Sequence, residues 1–262
     1  MNRRFYFWAA VLLATAFLAG CSININDSDT QSEYSEDFSF YIPVANYDEL
    51  SVSDINGSIT IIGVDGLDEV EVTGQKIVQD ESFEQARRHI TDISVDIVSS
   101  GSLLGVRTTQ PNTSGNRTYQ VDYEIRVPSD WAVSVTDVNG TTEVDNIINS
   151  VNATLTNGTF SAYDIFGDLN ANLTNGNIDA DVTLLAGNRC ELTTTNGNIA
   201  LWVPSSTSAA ISASVVNGSV TVSGLSIAIS SSSRTYLEGT MGKGEGQISL
   251  STVNGNIQLN SL

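Results

Sequence analysis

The sequence predicts an all-β fold in which short coils pile into a solenoid-like stack, and three observations carry that prediction. Seven Asn-Gly dipeptides punctuate the chain, at Asn56-Gly57, Asn139-Gly140, Asn157-Gly158, Asn175-Gly176, Asn196-Gly197, Asn217-Gly218 and Asn254-Gly255. From Asn139 onward they are 18, 18, 21, 21 and 37 residues apart, the last step about twice the others. Around each dipeptide apolar and polar residues alternate with period two, as in strands with one buried face. A period near twenty marks serial units that bury their apolar sides by stacking on one another. Asn-Gly is also the strongest local signal for a tight hairpin, so an antiparallel meander or sandwich is the competing arrangement. Near-regular spacing and similar residues at similar places favour the coil.

Residues 1–20 read as an export signal. Arg3 and Arg4 form its basic start, and Phe5 to Phe17 is an apolar or small-residue run. Thirteen residues are too few to cross a hydrocarbon layer of about 30 Å, which needs about twenty. Leu18-Ala19-Gly20-Cys21 then resembles a bacterial lipobox. That resemblance implies peptidase recognition through Leu18, Ala19 and Gly20, cleavage after Gly20, and diacylglycerol on the Cys21 thiol, usually with a third chain on the new amine. Two or three acyl chains hold a protein stably on a membrane where one does so marginally. Ser22, rather than Asp, follows the cysteine, which favours the outer membrane of a Gram-negative cell. The membrane is therefore an expected partner through the lipid, and no other cofactor is expected.

Residues 21–37 read as an acidic tether. Asp27, Asp29, Glu33, Glu36 and Asp37 have no base among them, and Ser, Asn, Thr and Gln fill the gaps. Low hydrophobicity with like charge keeps such a segment extended.

Residues 38–262 form a single β-repeat domain, irregular over 38–135 and built of Asn-Gly units of 18–21 residues over 136–262. In the irregular part Phe38, Phe40 and Ile42 alternate before Pro43, and Leu50, Val52 and Ile55 lead into the first dipeptide. Ser82 caps a short predicted helix near 83–90, with Glu84 early and Arg87 and Arg88 late, as the helix dipole prefers. Tyr119 to Pro128 (YQVDYEIRVP) is the cleanest strand. In the repeats, Leu155, Leu173 and Leu192 before the corners, and Phe160, Ile178 and Ile199 after them, are expected to form interior ladders. The last repeat, ending Asn260-Ser261-Leu262, is expected to cap the stack.

The formal net charge is −19, and −21 once Arg3 and Arg4 are removed. Residues 22–150 carry 23 acidic and 6 basic side chains, against 7 and 3 over residues 151–262. So negative a chain is not built for nucleic-acid phosphates or anionic lipid heads. Of its two cysteines, Cys21 is assigned to lipid and Cys190 is left to pack as a small interior hydrophobe.

Catalytic groups are sparse. His89 is the one histidine, so no histidine-based triad or two-histidine metal site can form, and it reads as a solvated helix residue. Gly242-Lys243-Gly244 lacks the rest of a phosphate loop, and Gly239 to Gly246 reads as a turn. Asp164/Asp168 and Asp179/Asp181 are loose carboxylate pairs. On one strand face the second pair would lie about 7 Å apart at Cα, near the separations glycosidases use. Trp131 and Trp202 are candidates for stacking on sugars.

The lipobox, the alternating strand ending in Val-Pro and the serial VNGxI or TNGxI units together resemble a bacterial family labelled "putative adhesin", a β-strand repeat domain of unknown function. The likeness spans roughly residues 38–262 and is densest from Tyr119 on. It implies a right-handed β-solenoid-like fold, an envelope setting and no catalytic residue. The function expected is a lipid-anchored, outer-membrane protein, periplasmic or surface-facing. Its rigid repeat surface would meet an envelope protein or glycan, without catalysis. The alternatives are a carbohydrate-active enzyme on a β-helix, for which Arg189, Arg234 and Lys243 supply few bases, and an envelope-assembly accessory.

Overall fold

The computed structural model describes residues 31–111 and 116–262. The export signal, Leu18, Ala19, Gly20, Cys21 and the first part of the tether lie outside the described residues. The first part of the domain comprises β1 (Ser32–Pro43), β2 (Glu49–Ser53), β3 (Asn56–Val64), β4 (Glu69–Asp80), the helix α1 (Phe83–His89), β5 (Ser94–Ser100), β6 (Leu103–Thr109) and β7 (Thr118–Pro128). The repeat part comprises β8 (Ala132–Ile147), β9 (Val151–Ile165), β10 (Leu169–Asn175), β11 (Ile178–Val182), β12 (Arg189–Asn196), β13 (Ile199–Val203), β14 (Ala209–Ser223), β15 (Ala228–Ser232), β16 (Tyr236–Met241) and β17 (Gly246–Ser261). All seventeen strands are hydrogen-bonded into one continuous sheet.

The Asn-Gly dipeptides are corners, not hairpin turns. β8 runs without a break through Asn139-Gly140, and the strand halves on either side pair with neighbouring coils in parallel rather than with each other. Asn56 lies opposite Asn139, then Asn157, Asn175, Asn196 and Asn254, with Asn217 outermost. The chain is therefore a β-solenoid-like stack, and six steps at about 4.8 Å make the corner line roughly 29 Å long. Antiparallel pairing, the alternative, is confined to the ends, where β1–β4–β7, β5–β6 and β14–β16–β15 flank the parallel body.

Stack order and chain order differ at both ends. β2–β3 lies between the β6–β7 coil and β8, so the chain places its second coil first and doubles back. β17 lies between β12–β13 and β14, so the last repeat is intercalated rather than terminal. This corrects the expected cap: the step of 37 residues is an excursion through β14, β15 and β16 that returns to fill the gap. At one end β5 covers β6 and β4 covers β7, and at the other β16 covers the entry half of β14, whereas among the described residues no strand pairs with the outer side of Gly218–Ser223.

Strand β1 begins at Ser32, so the last six residues of the expected tether, 32–37, are strand. Its acidic residues face polar partners across the antiparallel pair with β4. Glu36 meets Lys76 at 3.7 Å, Asp37 accepts from Gln75 at 2.8 Å and Glu33 from Gln79 at 3.1 Å. Alternate residues Tyr34, Phe38 and Phe40 pack on the core. The helix forms as expected, with Ser82 Oγ accepting from Gln85 N, and it packs its buried Ala86 side on β1 and β4. Phe160, Ile178 and Ile199 do make a ladder, but Leu192 lies opposite Ala171 rather than Leu173, whose register partner is Thr194.

Cys190 is buried in the stack, and loss of solvation pushes its thiol up to about 12. Because the thiolate is the reactive species, Cys190 should resist alkylation by iodoacetamide in the native protein at pH 8. It should react fully in denaturant, as a mass shift would record.

Candidate functional site

Each coil offers a corner, an entry face before the corner and an exit face after it. At the corner, each asparagine donates Nδ2 to the Oδ1 of the next in the stack. Asn139 bonds Asn56 at 2.8 Å, Asn157 bonds Asn139 at 2.8 Å, Asn175 bonds Asn157 at 2.9 Å and Asn196 bonds Asn175 at 2.7 Å. Asn254 bonds Asn196 at 2.7 Å and Asn217 bonds Asn254 at 2.8 Å, while Asn56 ends the run on the Tyr119 carbonyl at 3.1 Å. The ladder is thus one polar chain, each amide but the outermost Asn217 both donor and acceptor. The glycines stack just as closely. A Cβ on Gly176 would fall on the Gly158 carbonyl, and one on Gly255 on that of Gly197. All fourteen corner residues take part in this stacking.

A shallow open depression of about 420 Å³ lies where the first corners meet β7, lined in part by Asn56, Ser58, Asn139 and Asp122. Its carboxylate is already engaged: Asp122 accepts from Ser58 N and Ser58 Oγ at 2.8 Å and from Gln120 at 3.0 Å.

The entry face is nearly without charge. Its outward rows hold the residues one, three and five places before each corner, for example Thr174, Asn172 and Asn170 on β10. Across seven coils these rows contain Ser, Thr, Asn, Val and Ile, and Glu191 is their one charged residue. Beneath them, two places before each corner, the side chains point inward. Leu155 and Leu173 are buried there, and Thr194 and Thr252 donate to the Gly176 and Gly197 carbonyls at 3.0 Å.

In the first two coils this interior position is an aspartate. Asp54 and Asp137 are buried, and none of their carboxylate oxygens has a hydrogen-bond partner. Burial pushes Asp54 up to about 7, helped by the charges of Asp137 and Asp122 and opposed by the nearby Thr108 hydroxyl and Ile55 N–H. Burial likewise pushes Asp137 up to about 6. Thr108 also meets Tyr123 Oη at 2.6 Å, so the N-terminal end of the core holds a polar pocket.

The exit face is the charged one. Outward residues six places after the corners align as Ile62, Asp145, Tyr163, Asp181, Trp202 and Asn260. Asp179 shares this face and, like Asp181, is half-buried on β11; burial raises both carboxyls. Asp164 comes beside them, its N–H donating to Asp181 Oδ1 at 2.5 Å. Asp168 does not: it lies across the coil, accepting from Asn188 and Arg189. The Asp164/Asp168 pair is thereby broken up, whereas Asp179 and Asp181 stay together.

Trp202 is half-buried on the exit face, while Trp131 packs inside against Tyr47 with ring centroids 6.2 Å apart. His89 is paired rather than free, its Nδ1 lying 2.8 Å from Asp92 Oδ2. Gly239 belongs to β16, and the turn before β17 is shorter than expected. Among the described residues no group of three or more His, Cys, Asp or Glu is arranged to hold a metal, and no helix is long and apolar enough to cross a membrane. The interior aspartates escaped the sequence reading, although aligning Asp54 and Asp137 with Leu155 and Leu173 by distance from the corner would have placed them inside.

The family described as "Toastrack DUF4097" matches residues 22–260. A solved structure of a "putative cell adhesion protein" from Clostridium sporogenes is 12% identical, covers 87% of this chain and 100% of its own, and superposes with a TM-score of 0.53. A "putative adhesin" from Bacteroides fragilis is 11% identical over 86% of this chain and 97% of its own, with a TM-score of 0.39. The first likeness bears on fold. No curated protein matches the chain.

Proposed function

The chain belongs to the Toastrack DUF4097 family, and from that premise we propose that it works by display. It holds a stiff neutral face at the bacterial cell envelope for a macromolecular partner, without catalysis. The observation that carries the reading is the entry face. A chain of net charge −19 keeps the outward rows of seven stacked coils free of charge but for Glu191. Depletion of charge is the compositional mark of an interface core. Seven strands at about 4.8 Å and five residues at about 3.3 Å make the face roughly 29 Å by 17 Å, about 490 Å², a size that suits a weak or transient contact rather than a standard interface of about 800 Å² per partner. The register of the corners makes it rigid, so little ordering cost is incurred on binding. The relatives' printed names, which speak of adhesion, agree with display. In this reading lipid on Cys21 fixes the chain to the membrane, outer-membrane placement follows from Ser22, and the acidic residues before Ser32 give reach.

Two variants in cells test it. Cys21→Ser should move the protein from the membrane fraction to the soluble fraction. Thr174→Glu with Thr195→Glu should reduce cell attachment to the level of a deletion strain while leaving the protein's abundance unchanged. Attachment and envelope integrity that are the same with and without the protein would refute the display reading.

A further inference from the structure

We propose that the outward row Tyr163–Asp181–Trp202 on the exit face binds a flat, β-linked polysaccharide of neutral or amine-bearing sugars. The site goes beyond the display reading and uses the exit face, not the neutral entry face.

Backbone geometry places the two rings. Between Ala162 and Ile165 of β9, Tyr163 and Asp164 stand opposite the single residue Asp181 of β11, and Asp164 takes φ +50°. Such a bulge re-aims a side chain: Tyr163 keeps the outward place that alternation gives it, and Asp164 is brought out beside Asp181. The coil before it repeats the device, Asn146 taking φ +56° beside Asp145, so the kink is shared between strands rather than local. On the other side Trp202 lies opposite Asp181 in register. Tyr163 and Trp202 therefore flank one carboxylate, two strand spacings or about 9.6 Å apart.

Little overhangs either ring. Two residues earlier on the same strand faces are Ser161 before Tyr163 and Ala200 before Trp202, both small. Tyr163 Oη and Trp202 Nε1 are absent from the hydrogen bonds among the described residues, and neither is a buried unpartnered atom, so both half-buried rings keep a polar edge in reach of solvent. An aromatic ring with a free polar edge offers a face to apolar C–H groups and a donor to a hydroxyl.

The spacing selects the shape of ligand. In an equatorially linked chain, successive pyranose rings turn over, and every second ring presents the same C–H face. Two platforms separated by about two ring lengths accept rings one and three of such a ribbon. Ring two then lies over Asp181, whose Oδ1 is taken by Asp164 N and whose Oδ2 is left for a sugar hydroxyl or ammonium. A coiled α-linked chain cannot keep both stacks.

Charge selects the substituents. Glu143, Asp145, Asp164, Asp179 and Asp181 crowd this part of the face, and no Lys or Arg occupies the two outward exit-face rows from β8 to β17. Acidic sugars are excluded by repulsion and amines are attracted.

Titration calorimetry on the full chain in detergent micelles tests the assignment, with cellohexaose, a glucosamine hexamer from chitosan, maltohexaose and a hyaluronan hexasaccharide as probes. The expected result is binding of the first two and not of the last two. Trp202→Ala and Tyr163→Ala should each weaken binding by about tenfold or more. Trp202→Phe keeps a ring and should retain most of the affinity, which guards against an alanine variant that misfolds. Failure of both flat oligosaccharides to bind at millimolar concentration would overturn the site. So would maltohexaose binding as tightly, or affinity unchanged in both alanine variants. Because Thr174→Glu and Thr195→Glu lie on the other face, loss of attachment with them and no oligosaccharide binding would sink this site alone. The reverse pattern would sink the display reading alone.

Discussion

Replacing Gly176 by alanine should destabilise the protein by about 4 kcal/mol or more, enough to unfold the middle of the stack. Two costs add at this position. The backbone sits at φ +154°, where a side chain is strained, and the new methyl would fall on the Gly158 carbonyl of the adjoining coil. That carbonyl belongs to the parallel ladder, so it cannot retreat without breaking register with its own neighbours. Stability of a linear stack is a sum of units and interfaces, and an interior interface that fails divides the array. Two controls separate these causes. Gly66→Ala, at φ +68° with nothing within 4 Å of the added carbon, carries backbone strain alone and should cost about 1 kcal/mol. Asn175→Ala breaks two links of the exposed amide ladder and should also cost about 1 kcal/mol. Thermal melts followed by circular dichroism order the three variants. A Gly176→Ala protein that melts with Gly66→Ala would mean that the coils are not in contact at their corners.

The corners were legible because Asn-Gly repeats in type as well as in spacing, and alternation on either side told inward from outward. What spacing does not encode is order. The step of 37 residues between Asn217 and Asn254 fits two coils in line as well as an excursion that returns between coils already laid down, and long-range pairing decides. Charge misled at β1, where Glu33, Glu36 and Asp37 look like a solvated run until Gln79, Lys76 and Gln75 are known to lie opposite. Composition hid Asp54 and Asp137 in the same way, since acidic residues are read as surface unless alignment with the leucines of later coils places them inside. On the exit face Trp202 and the pair Asp179/Asp181 were visible as residues. Tyr163 was not singled out, although alternation from the buried Phe160 and Ala162 already turns it outward; what leaves no mark in a period-two pattern is the bulge at Asp164, which brings that carboxylate beside Asp181.

Those interior aspartates make stability fall as pH rises from about 4 to about 7, the reverse of the usual acid denaturation. Asp54 is raised from an ordinary 3.8 to about 7 and Asp137 from 3.8 to about 6, both by burial first. Between the unfolded and folded values the native state holds protons that the unfolded chain has lost. Its stability therefore declines with rising pH across that window and levels off above it. The two shifts correspond to about 4 and about 3 kcal/mol, large against a total of about 5–15 kcal/mol for a typical domain. Geometry gives the reason for holding the proton. Thr194 and Thr252, in the equivalent interior place, donate to a glycine carbonyl of the adjoining coil. A neutral aspartic acid supplies the same kind of donor, and an aspartate does not. The groups facing the pair are Asp122, Thr108 and Tyr123, none of them cationic, so no base compensates the charge. Asp80, held low by Arg117, and Asp92, held low by His89, act in the opposite sense, but only as pH falls below the ordinary carboxylate range. Melting temperature should thus peak near pH 4 and drop by pH 8. Asp54→Asn with Asp137→Asn, which keeps shape and supplies a neutral donor, should flatten the profile and exceed the parent protein at pH 8. A parent profile flat from pH 5 to 8, or a slope that survives both substitutions, would show that these carboxyls are already ionised in the folded stack.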